Sequence, residues 1–155
     1  LIQPEVAELL ESPCSLLVGT VASDGCPDAV RAWGLVLLAP DRVRLLLSAN
    51  AERTIANLAG GGRMALTATD FVTMTSWQLK GRAATVEPAT AADRIRFDAF
   101  CAGCLAILAP LHAVPEERIA RMMPADVVAC ELVVEQVFDQ TPGPGAGARV
   151  APEST

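Results

Sequence analysis

The chain has 155 residues, 52% of them apolar and 19% charged, which suits one globular domain burying about 68 to 70% of its unfolded surface. Twelve basic residues against eighteen acidic ones leave a formal net charge of −6. That balance gives no electrostatic footprint for a phosphate backbone, so nucleic acid is not an expected partner.

Along the chain, Pro4 to Glu11 places Val6, Leu9 and Leu10 at helical spacing, with Pro4 suited to a first turn. Glu5, Glu8 and Glu11 stand where a signal peptide would carry basic residues, so export is not expected. The dense apolar run Cys14 to Ser23, the turn dipeptide Asp24-Gly25 and the apolar stretch Ala29 to Ala39 predict a β-hairpin. Pro40-Asp41 marks a second turn, and Arg42 to Ser48 reads as a third strand with Val43, Leu45 and Leu47 on one face and Arg42, Arg44 and Leu46 on the other. Asn50 is a suitable N-cap for a helix over Ala51 to Ala59, which Gly60 to Gly62 would end. Arg63 to Thr69 and Thr75 to Glu87 read as strands.

Thr90 to Leu108 is predicted helical, with Ile95, Ala99 and Ala102 in one row and Phe97, Cys101 and Cys104 near another. The uncharged stretch Ala99 to Pro115 holds two prolines and His112 and falls short of the roughly 20 residues that span a bilayer, so no membrane helix is expected. Pro115 opens a short helix through Met122, and Val127 to Phe138 is the last strand, with Cys130, Leu132, Val134 and Phe138 on one face. Six strands joined mostly by hairpins favour an antiparallel barrel with peripheral helices over an alternating βαβ sheet. Residues 1–140 form the predicted domain; 141–155, rich in Pro and Gly, are too poor in large apolar side chains to order themselves.

With one histidine, a zinc site of paired imidazoles has no basis, and no Gly-x-Ser-x-Gly stretch exists. His112, at a helix connection, reads as structural. Five irregularly spaced cysteines make no disulfide framework and point to a reducing cytoplasm. Cys101 and Cys104 form a Cys-x-x-Cys within an apolar helix, which reads as small buried hydrophobes ahead of a redox or metal pair.

Three polar residues stand out. Arg53 occupies the first turn of its helix, where a cation opposes the dipole and calls for a negative partner, either a phosphate or a surface carboxylate. Arg31 interrupts an apolar strand just before Trp33 and Gly34; either a flat ligand using its charge and the gap at Gly34, or Asp28 or another carboxylate across the sheet, would satisfy it. Gln78, between Trp77 and Leu79, is a similar intrusion.

The ordered set Leu17-Val18-Gly19-Thr20-Val21, Asp24-Gly25-Cys26-Pro27, Arg31, Ser48, Arg53-Thr54, Asn57-Leu58 and Gln78-Leu79-Lys80-Gly81-Arg82-Ala83 resembles the pyridoxamine 5'-phosphate oxidase-like flavin-binding split barrels. The resemblance covers about Pro4 to Phe138. It implies a six-stranded antiparallel split β-barrel, a homodimer with FMN in the groove between protomers, and flavin-dependent oxidoreductase activity on a small molecule. It also implies the cofactor-binding positions. Arg31, Ala32, Trp33 and Gly34 match the strand lining the flavin; Leu47 and Ser48 end the following strand, with Ser48 contacting phosphate. Arg53 and Thr54 match the basic pair after it, Thr54 standing where lysine is common, and Gln78 matches the glutamine that reaches the flavin ring. The resemblance stops short of the C-terminal Arg-x-His that holds pyridoxamine phosphate, because Gln140 to Gly145 contains no histidine. Related barrels bind F420 or heme without oxidising pyridoxamine phosphate, which leaves an F420-dependent reductase or a non-enzymatic flavin or heme carrier as the alternatives.

Overall fold

In the computed structural model, which describes residues 2–150, the Asp24-Gly25 hairpin joins β1 (Ser15–Val21) to β2 (Pro27–Ala39) in antiparallel register. Gly25 sits at φ +85°, the left-handed conformation that makes glycine the natural residue of such a turn. Four more long strands follow: β3 (Arg42–Ser48), β4 (Arg63–Thr69), β5 (Ser76–Pro88) and β6 (Val127–Asp139). They lie in the order β3-β2-β1-β4-β5-β6, and β6 pairs back onto β3 from Val127 to Val133. That last pairing closes a six-stranded antiparallel barrel.

Closure is possible because alternate residues share one apolar face. On β1 and β4, Leu16, Val18, Met64, Leu66 and Ala68 point inward, while Leu17, Val21 and Arg63 point outward. Leu45, Leu47, Leu79 and Leu132 meet them in a core from which water is excluded, each such side chain contributing about 1.5–3 kcal/mol. Where β5 and β6 bulge, Gly81 is required by close approach, since a Cβ there would collide with the Val133 carbonyl.

The helices are α1 (Pro4–Glu11), α2 (Glu52–Leu58), α3 (Ala91–His112) and α4 (Glu116–Ala120). The most consequential is α3, because it covers the outside of the barrel over β3. Leu46 packs beneath it with Val127, Ala129 and Phe97. Arg44, grouped with exposed Arg42 in the sequence pattern, is instead only 9% exposed. Its guanidinium grips Asp93 at both oxygens, Nε to Oδ1 at 3.0 Å and Nη2 to Oδ2 at 2.7 Å, and Nη1 donates to Glu87 at 2.7 Å and Glu131 at 3.4 Å. Asp93 also completes a capping box with Thr90 at the start of α3.

Several sequence expectations need correction. Asn50 is not the cap of α2: Ala51 takes that position without a side-chain cap bond, and the Asn50 N–H donates to Ser48 Oγ. The helix α3 runs past Leu108 to His112, and its Ile95 row faces outward, Ile95 being 72% exposed. By length and composition alone this 22-residue helix is apolar enough to cross a bilayer, contrary to the expectation drawn from its uncharged part; here Phe100, Cys101 and Cys104 pack it inward. The helix α4 stops at Ala120 rather than Met122. A bulge at Glu135 shifts the phase of β6, so Val137 is buried and Phe138 is not.

The tail, too poor in large apolar side chains to order itself, is open either to hang free or to lie along another element, and in part it does the latter: β7 (Ala148–Arg149) pairs with Phe138 and Asp139, and Val150 packs on the core. Residues 151–155 of that tail lie outside the described residues.

Asp93 supplies a test of the helix anchor. The Arg44 guanidinium holds its carboxyl well below the usual carboxylate range, overcoming the opposite pull of burial. A depressed folded value gives stability that is complete above the unfolded value near pH 4 and is lost as pH falls through the folded one. Thermal melts should therefore show Tm dropping below about pH 4, with a flatter response in Asp93→Asn, and Asp93→Asn should cost about 2–4 kcal/mol at pH 7 because Arg44 loses its main counter-charge.

Candidate functional site

The antiparallel registers line up one outward residue from each of four neighbouring strands. Arg31 on β2 stands opposite Leu17 on β1, Leu17 opposite Thr67 on β4, and Thr67 opposite Gln78 on β5. This row is about 14 Å long, three interstrand spacings of about 4.8 Å. Thr67 Oγ1 accepts from Gln78 Nε2 at 2.9 Å, which fixes the orientation of that amide. The next row, Ala29, Gly19, Ala65 and Lys80, is mostly small side chains and floors a shallow hollow of about 620 Å³ between exposed Leu17 and Val21.

Arg31 is exposed and, among the described residues, meets no carboxylate. Asp28, the partner weighed for it, instead accepts from Thr54 Oγ1 at 2.6 Å. That bond pins α2 beside the start of β2. Arg53, also exposed, reaches Cys26 Sγ at 3.8 Å and forms no ion pair among the described residues. Ser48, half-buried at the end of β3, accepts from the Asn50 N–H at 3.2 Å and keeps its own hydroxyl hydrogen available.

The remaining sequence-predicted positions are buried. Ala32 and Leu47, which face each other across β2 and β3, are 4% and 0% exposed. Thr54 is fully buried on Asp28. Gly34, at φ +121° in a register shift of β2, is turned to α3, where a Cβ would lie 3.5 Å from Phe100 Cβ. These residues shape the strands; the side chains open to a ligand are Arg31, Ser48, Arg53, Gln78 and half-buried Trp33.

A second hollow was not foreseen. A cavity of about 650 Å³ opens between the β1–β2 end of the barrel, the loop after β4 and helices α3 and α4, with Arg31, Ala32 and Trp33 in one wall. Phe71, Met74, Leu108, Ile119 and Met123 are among its apolar lining. His112, read as structural, is exposed in the last turn of α3 and borders this cavity. Two neighbouring thiols, Cys14 and Cys104, are each pushed up to about 12, chiefly by burial, and Cys101 to about 11 for the same reason. They are neutral packing groups, as the buried-hydrophobe reading of Cys101 and Cys104 held.

Comparisons with known proteins agree with this architecture. Residues 2–140 match the family model described as pyridoxamine 5'-phosphate oxidase. Among solved structures, HupZ from Group A Streptococcus is 16% identical with a TM-score of 0.57, covering 95% of this chain and 100% of its own. An F420 reductase is 17% identical with a TM-score of 0.55, covering 84% of this chain and 93% of its own. HutZ, a heme storage protein from Vibrio cholerae, is 16% identical with a TM-score of 0.51, covering 89% of this chain and 94% of its own. A comparison with curated proteins found no match. At these identities the structural likenesses carry the fold and nothing finer. Closed barrel, strand order and a family match that runs through the whole barrel together make this chain a member of the pyridoxamine 5'-phosphate oxidase family.

Proposed function

We propose that the chain binds FMN in a groove between two copies of itself and serves as a cytoplasmic flavin-dependent oxidoreductase acting on a small molecule. The observation that carries this reading is the isolation of Arg31. Of the arginines on β1–β6, Arg42, Arg44, Arg63 and Arg82 each meet a carboxylate, and Arg31 meets none. It stands in a row that ends at an amide already oriented by Thr67.

The parts have separable duties. Arg53 and Ser48 would hold the phosphate, two charge-assisted contacts worth more than neutral ones. Arg31 would meet the anionic or carbonyl side of the ligand and Gln78 its ring edge. Leu17 and Val21, 48% and 58% exposed on the same sheet face, are suited to cover by a second protomer. Excluding water there would strengthen each of those polar contacts.

FMN, when bound, supplies hydride or electron transfer, and the chain's own contribution is placement and electrostatics. The row itself contains no acid or base that titrates near neutrality. F420 also joins a flat ring to a phosphate, so the same cations would serve it, and the F420 reductase neighbour keeps that alternative in view.

Titration followed by flavin fluorescence should give one FMN per protomer. Arg31→Ala and Arg53→Ala should each weaken binding about 10-fold or more while melting within about 0.5 kcal/mol of the parent without ligand, since neither loses an ion pair. Thr54→Val should show the reverse signature, costing about 1–2 kcal/mol of stability by stranding Asp28. Unchanged FMN affinity in both arginine variants would contradict the assignment, and saturable F420 binding without FMN binding would reassign the cofactor.

A further inference from the structure

The cavity between the barrel end and α3–α4 shares Arg31 with the proposed cofactor row, yet its character is different. Its walls are mainly apolar, with aromatic Phe71, Trp33 and Phe100, aliphatic Leu108 and Ile119 and the thioether of Met123, and its polar groups include His112, Asp70 and two arginines. At about 650 Å³ it falls within the range of small-molecule sites. Flat aromatic and flexible thioether surfaces suit a planar hydrocarbon body, because methionine adapts to irregular outlines and its sulfur favours ring edges.

The charge around that apolar space is net positive, two arginines against one carboxylate. Arg31 and Arg118 both line it, and neither has a carboxylate partner among the described residues. The acid in the lining, Asp70, already accepts from the Val72 and Thr73 N–H groups at 2.8 and 2.6 Å, bonds that lower its pKa and hold the carboxylate on its own loop. Cys14 and Cys104 are neutral thiols. A chain with a net charge of −6 therefore presents two cations without ion-pair partners among the described residues, against one carboxylate held on its own loop, at the edge of an apolar cavity.

We propose that this cavity binds an organic anion with a flat apolar body, seated against Phe71, Leu108 and Ile119 with its anionic group toward Arg118 and Arg31. Binding stands on the cavity alone. Identifying the bound molecule as the reaction partner of the flavin rests on the proposed cofactor row, because Arg31 belongs to both.

The test uses the full chain and two probes with the same hydrocarbon body, anionic 1-anilinonaphthalene-8-sulfonate and neutral N-phenyl-1-naphthylamine, with binding read by probe fluorescence. The sulfonate should saturate at one per protomer and bind more tightly than the neutral probe. Arg118→Ala, at an exposed residue whose loss leaves the fold intact, should weaken the sulfonate about fivefold and change the neutral probe less than about twofold. Filling the cavity with Ile119→Trp should weaken both about 10-fold or more. Non-saturable binding, equal effects of Arg118→Ala on the two probes, or an Ile119→Trp protein that melts normally and binds both unchanged would overturn the proposal. FMN is titrated in parallel. FMN whose own affinity falls about 10-fold or more in Ile119→Trp while it displaces the sulfonate one for one would make the cavity the cofactor site and overturn the proposal. Sulfonate binding that survives where FMN fails to bind would uphold the cavity and sink the flavin reading alone.

Discussion

The fold turns on a buried arginine. Arg44 lies at the seam where β3 meets β6, and its guanidinium gathers carboxylates from β5, β6 and the first turn of α3. A charge this far from water is costly unless every donor is met, and three acids meet it. The arrangement does two things at once: it closes the outer side of the barrel seam, and it hangs α3 from that seam at a fixed start. Everything α3 carries toward the far end, including Phe100, Cys104 and Leu108, takes its position from that anchor. The cavity wall is therefore a consequence of an ion cluster at the opposite end of the helix.

The opposite logic governs the face formed by β2, β1, β4 and β5. There the charges and amides are left open or only partly satisfied, and the side chains between them are small. Gly19, Ala29 and Ala65 lower the surface along one row, while Leu17 and Val21 raise apolar ridges beside it. A monomer gains nothing from exposing such ridges, whereas a ligand or a second copy laid across them removes apolar area from water. The Arg44 seam fixes the start of α3, and the face it leaves uncovered is the one proposed above to receive the cofactor.

Much of this was legible in the sequence, and the boundary of what was legible has physical causes. The Asp24-Gly25 turn, the alternation of Val43, Leu45 and Leu47 and the Cys14 to Val21 run carry their structure locally, so the strands and the barrel class follow from them. Arg31, Arg53 and Gln78 were visible as polar residues in the wrong company. That Arg31 and Gln78 share a row was not visible, because it depends on three registers and the β1–β4 register joins strands that no turn connects. Arg44 looked like Arg42 because burial by α3 is a tertiary fact. The phase of β6 was misjudged past Glu135 since a bulge adds one residue without any mark in composition, and the short β7 pairing relies on backbone groups that any residue supplies. The cavity draws on segments from Cys14 to Met123, and no spacing pattern announces such convergence.

The most direct test of the central claim, that the open row on β2–β1–β4–β5 is where a flavin sits, is amide hydrogen exchange of the whole protein with and without saturating FMN. The account predicts slowed exchange around Arg31, from Ser48 to Arg53 and around Gln78, with little change in α3 and α4. Protection confined to the segments around Met74, Leu108 and Ile119, or none despite bound FMN, would contradict it.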